Sequence, residues 1–264
     1  MIEFIIVLAV AMAACAVGFK KYIWFISIGY GFAIAAIGIA LMIMFHGKMD
    51  AGLLLVCVLL VIYGCRLGGF LSYRELKISS YNKKMIGEIK DGSGISIGVL
   101  CAIWISAAIL YACQTAPVLF RLENGEKADA FVIIGLILAV IGVALEVGAD
   151  YQKNQAKKKN PGRFVDSGLF RIVRCPNYLG ELALWTGIFI MGFGGGMGAL
   201  QWIACIIGYL GIIYVMFSGA RRLEMRQNRT YGNDPEYIEY AKTVPIMIPL
   251  IPLYSVEKHK WLVA

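Results

Sequence analysis

The sequence predicts an all-α integral membrane protein of about seven transmembrane helices, with its N-terminus outside and its C-terminus in the cytoplasm. Three observations carry that expectation. Hydrophobic residues make up 59% of the 264 and charged ones only 16%, with a mean hydropathy of +0.72, far more apolar than a soluble domain of this length. Seven stretches approach the roughly 20 apolar residues that a helix needs to cross the hydrocarbon core. The 25 lysines and arginines are also shared very unevenly among the loops, and positive charge marks the cytoplasmic side.

The first stretch, 2–19, follows Met1 without the basic region of a signal peptide, so it is expected to be a retained helix. The next four are 22–45, 51–71, 94–117 and 128–149. The sixth, 179–194, is short, and Gly192, Gly194, Gly195, Gly196 and Gly198 end it in a tight turn; with 199–219 it reads as a helical hairpin. Two basic residues at 20–21, five in 72–93, seven in 150–178 and seven in 220–264 fall on one side, against Lys48, Arg121 and Lys127 on the other. The formal charge of +8 therefore gathers at the cytoplasmic face, where membrane lipid headgroups or a soluble anion can meet it. Nucleic acid is not expected as a partner, since the chain offers no soluble reading domain.

No repeat or long linker divides the chain, and 1–264 is read as a single membrane domain and a monomer. The seven cysteines form no CxxC pair, and the two histidines, His46 and His259, stand far apart, so neither disulfides nor a metal site is expected. Cys175 is the exception to watch, because it lies inside the most unusual stretch, "RIVRCPNYLGELALWTG" at 171–187.

That stretch belongs to one of two polar segments, 146–178 and 220–253. In the first, Asn160-Pro161-Gly162 and Asp166-Ser167-Gly168 read as turns. In the second, Arg221 to Arg229 continue the last long helix until Gly232-Asn233-Asp234-Pro235 breaks it. A short helix then restarts at Glu236, capped by Asp234 with proline at its first position.

Glu146 and Asp150 are four apart on one face of an otherwise apolar helix, and an acid at such a place faces a polar cavity, a partner or water. Lys153, Lys157, Lys158, Lys159 and Arg163 serve either as cytoplasmic anchors or as an anion site. Arg171, Arg174, Asn177, Tyr178 and Glu181 follow closely, with Asn177 placed to cap a helix beginning near Tyr178. Several arginines beside a helix start suit a phosphate group. Glu181 lies a turn inside that helix, where it needs an arginine or a ligand as partner. Arg222 and Arg226 share a face, beside Arg221, with Glu224 pointing elsewhere; they form either a basic collar or ligand contacts. Tyr231, Tyr237 and Tyr240 could stack on a flat heteroaromatic ligand or serve as interfacial tyrosines.

"GRFVDSGLFRIVRCPNYLGELALWTG", with "EVGADYQK" before it, resembles the steroid 5α-reductase family in its bacterial branch. "RRLEMRQNRTYG" and "IPLIP" look like the tail of the sterol C14-reductases, and the resemblance covers about residues 140–253. It implies a seven-helix membrane reductase whose C-terminal half, 140–264, binds NADPH from the cytoplasmic side, with helices of 1–139 on the lipid-substrate side. Carried over by motif, the cofactor contacts are Asp150, Lys157, Arg163, Asn177, Glu181, Arg222 and Tyr237; Lys153, Arg174, Tyr178 and Arg221 join them as candidates. Two departures stand out. Cys175 takes the place of the usual histidine of "RHPNY", and the glutamine-glutamate pair of the animal enzymes has no counterpart.

The reaction this implies is NADPH-dependent reduction of an activated C=C bond, an enone, in a steroid-like or isoprenoid lipid. The carbonyl partner should be a tyrosine or a carboxylic acid, and Tyr73 and Glu75 after the third helix are the leading pair, with Tyr111 and Gln114 as substitutes. A methyltransferase of the isoprenylcysteine type, using S-adenosylmethionine, resembles this pattern less well, because "NYLGE" matches the reductases. A transporter or lipid-binding protein would show matching breaks in two halves, whereas the polar residues here crowd at one face.

Overall fold

The computed structural model describes residues 2–77 and 94–263. Lys83, Lys84 and Lys90 of the basic segment 72–93 lie outside the described residues. The described residues form eight α-helices in chain order: α1 (Ile2–Cys15), α2 (Ile28–Met44), α3 (Ala51–Lys77), α4 (Ile97–Glu123), α5 (Ala130–Lys159), α6 (Pro176–Ile190), α7 (Ala199–Tyr231) and α8 (Pro235–Thr243). Short 3-10 turns at Ala16–Phe19 and Tyr22–Phe25 join α1 to α2, and there is no strand among the described residues.

Among the described residues six segments are long and apolar enough to cross a membrane: Ile2–Phe19, Tyr22–Met44, Ala51–Glu75, Ile97–Glu123, Ala130–Lys159 and Ala199–Tyr231. The chain is an all-helical integral membrane protein. The expected seventh span is α6, whose 15 residues rise about 22 Å, short of the roughly 30 Å hydrocarbon core. Along α5, Ile133, Ile134, Ile137, Val140 and Ile141 are exposed, an apolar surface that suits lipid and not water.

Several helices outrun their apolar stretches, because charged side chains continue a helix into water wherever no glycine or proline stops it. Helix α3 runs to Lys77, so Tyr73 and Glu75 belong to its last turns and not to a loop after it. Helix α5 continues to Lys159 and stops at Asn160-Pro161-Gly162, the expected turn, where the Asn160 amide closes on the Ala156 carbonyl at 2.9 Å. Helix α7 extends to Tyr231, and Asp234 caps α8 by accepting from the Glu236 amide at 3.0 Å.

The described chain forms two compact units: one of Met1–Leu136 with Ile188–Tyr209, the other of Ile137–Gly187 with Leu210–Ala264. In the first, α2 and α3 touch backbone to backbone; a β-carbon on Gly64 would lie 2.4 Å from the Gly31 carbonyl oxygen, a small-residue crossing of the kind that membrane helices use. Arg121, read from sequence as a loop-side charge, is 1% exposed. Its guanidinium donates to the carbonyls of Met191 (2.8 Å), Phe193 (2.9 Å) and Lys127 (2.7 Å) and pairs with Asp129 at 2.7 Å. Nearby, Asp50 accepts from the amides of Leu53 (2.9 Å) and Ala128 (2.6 Å). Burial alone would raise its carboxyl pKa, but those amides, that of Gly52 and the Arg121 charge hold it below the usual range.

Candidate functional site

In the second unit α5 and α6 cross at two glycines. A β-carbon on Gly142 would stand 2.5 Å from the Gly180 carbonyl oxygen, and one on Gly180 would stand 2.8 Å from the Glu146 amide nitrogen. Glu146 is thereby pressed against Gly180-Glu181, and both carboxylates are buried. Asp150 and Lys153, one and two turns further along α5, are half-buried. The charge of Lys153 is felt at Cys175, the residue before α6.

Helix α6 starts at Pro176, with the Cys175 carbonyl accepting from the Tyr178 and Leu179 amides, both at 3.1 Å. Proline at the first helical position fixes this start. Asn177 is therefore in the first turn and does not cap the helix, which corrects the sequence expectation. Asn177 and Glu181 share a face at i, i+4. Tyr178 packs on α7, where a β-carbon on Gly219 would lie 3.3 Å from its hydroxyl, and Arg222, Arg226 and Glu181 all act electrostatically on it. On α7, Ser218, Arg222 and Arg226 are spaced four apart on one stripe. Ser218 is fully buried and its hydroxyl has no hydrogen-bond partner.

Five of the sequence candidates have other work. Lys157 donates to the carbonyls of Pro161 (3.3 Å) and Arg163 and to the Tyr231 hydroxyl (3.0 Å), so it finishes the end of α5. Arg163 pairs with Asp166 at 2.7 Å and with Glu236. Tyr237 donates to Asn228 Oδ1 at 2.7 Å, and its ring joins Tyr231 and Tyr240 around Phe164. Burial pushes the Tyr237 phenol up to about 12, against the Arg174 charge. Arg221 donates to the carbonyls of Glu257 (3.0 Å) and Leu262 (3.3 Å).

Arg174 is 2% exposed and pairs with the equally buried Glu224 at 2.9 Å. It also donates to the Tyr254 carbonyl, while the other oxygen of Glu224 accepts from the Val256 amide at 2.9 Å. The backbone amides of Arg174 and Cys175 donate to Pro245 and Ile246 carbonyls, both at 2.9 Å. "RCP" is thus the seat of the C-terminal tail. Sequence reasoning missed Glu224 as its partner; the signal was a lone acid inside the basic run "ARRLEMRQNR". The Cys175 thiol is 1% exposed, and burial pushes it up to about 12, so it stays protonated and unreactive near neutral pH.

In the first unit Glu75 is 5% exposed and accepts from Lys21 Nζ at 3.0 Å and Trp24 Nε1 at 3.4 Å, whereas Tyr73 is 58% exposed.

Around the α5–α6 crossing and the facing stripe of α7 stand buried acids, an amide side chain, a buried hydroxyl and half-buried to exposed cations. That donor set fits a polyanionic ligand that also carries a neutral polar head: Lys153, Arg222, Arg226 and Ser218 suit phosphate oxygens, and Asn177 and Glu181 suit an amide. The architecture is that of a helical membrane protein with a polar cluster at one helix crossing. The chain belongs to a family described as of unknown function, DUF1295, whose model matches residues 15–244. It is 38% identical over 71 residues to the steroid 5-alpha-reductase DET2 of Gossypium hirsutum, a match covering 26% of this chain and 28% of that protein. To the steroid 5-alpha-reductase DET2 of Arabidopsis thaliana it is 34% identical over 61 residues, covering 22% of this chain and 23% of that protein. The chain thus matches about a quarter of the length of these curated relatives. No solved structure matches.

Proposed function

We propose that this protein reduces an activated C=C bond of a steroid-like or isoprenoid lipid with NADPH. The observation that carries this reading is the cluster at the α5–α6 crossing, where Glu181, Asn177 and the cations of α5 and α7 stand within the stretch that resembles the reductases. NADPH, when bound, supplies a hydride for the β carbon of an enone. Lys153, Arg222 and Arg226 would hold its phosphates, and Asn177 with Glu181 would orient its carboxamide. Asp150 keeps Lys153 in place one turn away on α5. For the enone carbonyl the proposed partner is Tyr73 or Glu75, the second of which already accepts from Lys21 and Trp24, and the α carbon takes its proton from solvent or a side chain.

In thermal-shift titrations of the purified protein, Asn177→Ala and Glu181→Ala are each expected to weaken NADPH binding at least tenfold while the ligand-free midpoint holds. Unchanged NADPH affinity in both variants would sink the reading, and stabilisation by S-adenosylmethionine alone would replace it with methyl transfer.

We also propose that the N-terminus lies outside and that the cofactor cluster faces the cytoplasm, as the distribution of basic residues supports. Alkaline phosphatase fused after Gly47 should then be active outside, and fused after Lys260 inactive. The reverse pattern would invert the topology.

A further inference from the structure

Helix α4 carries a polar interruption that the proposed chemistry does not use. Within the apolar span Ile97–Glu123, the buried run Tyr111-Ala112-Cys113-Gln114-Thr115-Ala116-Pro117 places Gln114 and Thr115 between Tyr111 and a proline. Thr115 satisfies itself, donating to the carbonyls of Tyr111 and Ala112, both 3.1 Å away. Tyr111 donates to the Phe25 carbonyl at 2.8 Å. Gln114 does neither: it is 3% exposed, and both its amide nitrogen and its amide oxygen lack a hydrogen-bond partner. Leaving a buried amide unpaired in an apolar surrounding is costly, and a leucine there would avoid it.

The position is also held rigidly. Gly208 of α7 abuts the same turn so closely that a β-carbon on it would lie 2.3 Å from the Cys113 carbonyl and 2.5 Å from the Gln114 backbone nitrogen. One turn back on α4, the ring of Tyr111 lies 5.1 Å from that of Tyr30, whose hydroxyl is 3.3 Å from that of Tyr63 on α3. Tyr63 precedes Tyr73 on the same helix by ten residues, about 15 Å of rise. Gln114 is therefore level with the middle of the bundle, well removed from the end of α3 where Tyr73 and Glu75 sit.

We infer that Gln114 hydrogen-bonds an oxygen at the end of the lipid substrate remote from the reacting enone, and so sets specificity. The inference rests on the reductase reading, and on Tyr73 serving the enone end. A fused four-ring lipid with an oxygen at each end has the length and the rigidity to bridge the two levels. The amide can serve either oxidation state at that remote end, its Nε2 donating to a ketone and its Oε1 accepting from a hydroxyl. Loss of that remote oxygen, whether ketone or hydroxyl, would strand the amide again, which is how a buried polar group rejects a ligand that lacks its partner.

The test uses the full chain in nanodiscs with two probes, androst-4-ene-3,17-dione and androst-4-en-3-one, which differ only in the 17-oxygen. Wild type should bind the dione about tenfold more tightly than the deoxy compound, and Gln114→Leu and the volume-matched Gln114→Met should bind the two alike, with the NADPH-induced shift unchanged. Equal weakening of both probes would assign Gln114 to the enone end and overturn the inference. So would a retained preference for the dione, a failure of wild type to distinguish or bind the probes, or a drop in ligand-free stability in both variants. A wild type that binds the probes but gives no NADPH shift would fail the reductase reading alone.

Discussion

Arg121→Met should lower the stability of the detergent-purified protein by several kcal/mol, about 1–3 kcal/mol for each of the buried carbonyls that loses its donor. The loss is larger than that of an ordinary core substitution because the guanidinium serves three carbonyls and a carboxylate together. Met191, Phe193 and Lys127 would each keep an acceptor with no donor, and Asp129 would lose its 2.7 Å partner. Arg121→Lys should recover only part of the loss, since a single ammonium lacks the planar fork that reaches several acceptors at once. Thermal or chemical unfolding followed by tryptophan fluorescence reads this directly, and a midpoint equal to wild type in Arg121→Met would remove Arg121 from any structural role. The NADPH-induced shift should persist in whatever fraction remains folded.

Glu224→Leu should produce a loss of similar size, confined to the second unit, because it leaves Arg174 charged and buried beside a hydrophobic side chain. The informative comparison is with Arg174→Met and with the double variant. Two groups in direct contact couple, so the double variant should be more stable than the sum of the single losses predicts, by at least about 1 kcal/mol. Strict additivity would show that the 2.9 Å contact contributes nothing in solution. Limited proteolysis supplies a second readout: either single variant should expose the tail after Thr243 to cleavage, since the Tyr254 carbonyl and the Val256 amide are held by this pair.

Architecture was readable in the sequence where hydrophobic run length decides it. The six spans coincide with six of the seven apolar stretches, and Asp234-Pro235 capped a helix as such a pair should. Helix ends were less readable, because the extension of α3 and α5 past their apolar residues depends on charged residues that are equally at home in a loop. The motif around Arg174 was legible as unusual, but not as to purpose. Arginines near a helix start can meet a ligand or another part of the chain, and only the fold shows that Arg174 meets Glu224 while Lys157, Arg163 and Arg221 close turns and hold the tail. Asn177 and Glu181 were named from the motif that carries the resemblance and Lys153 from the basic run, and the fold puts Asn177 and Glu181 on α6, which crosses α5 at Gly180. Ser218 escaped notice because a serine in an apolar helix carries little signal, and Glu224 was set aside as pointing elsewhere because one acid among arginines does not name its partner. Gln114 entered only as a substitute, since an orphaned amide becomes visible only once its surroundings are packed.

The fastening of the tail also bears on biosynthesis. Residues 245–262 are clamped by Arg174, Glu224 and Arg221, and the first unit takes in 188–209 from far along the chain. Neither unit can therefore close in the order in which it is translated. The early helices must wait in the translocon's vicinity for the hairpin made much later, and the second unit stays open until residues 245–262 have left the ribosome. During that interval Arg174 and Glu224 face each other without their tail partners, which makes the nascent chain a client for insertion factors and quality control for longer than its modest length suggests.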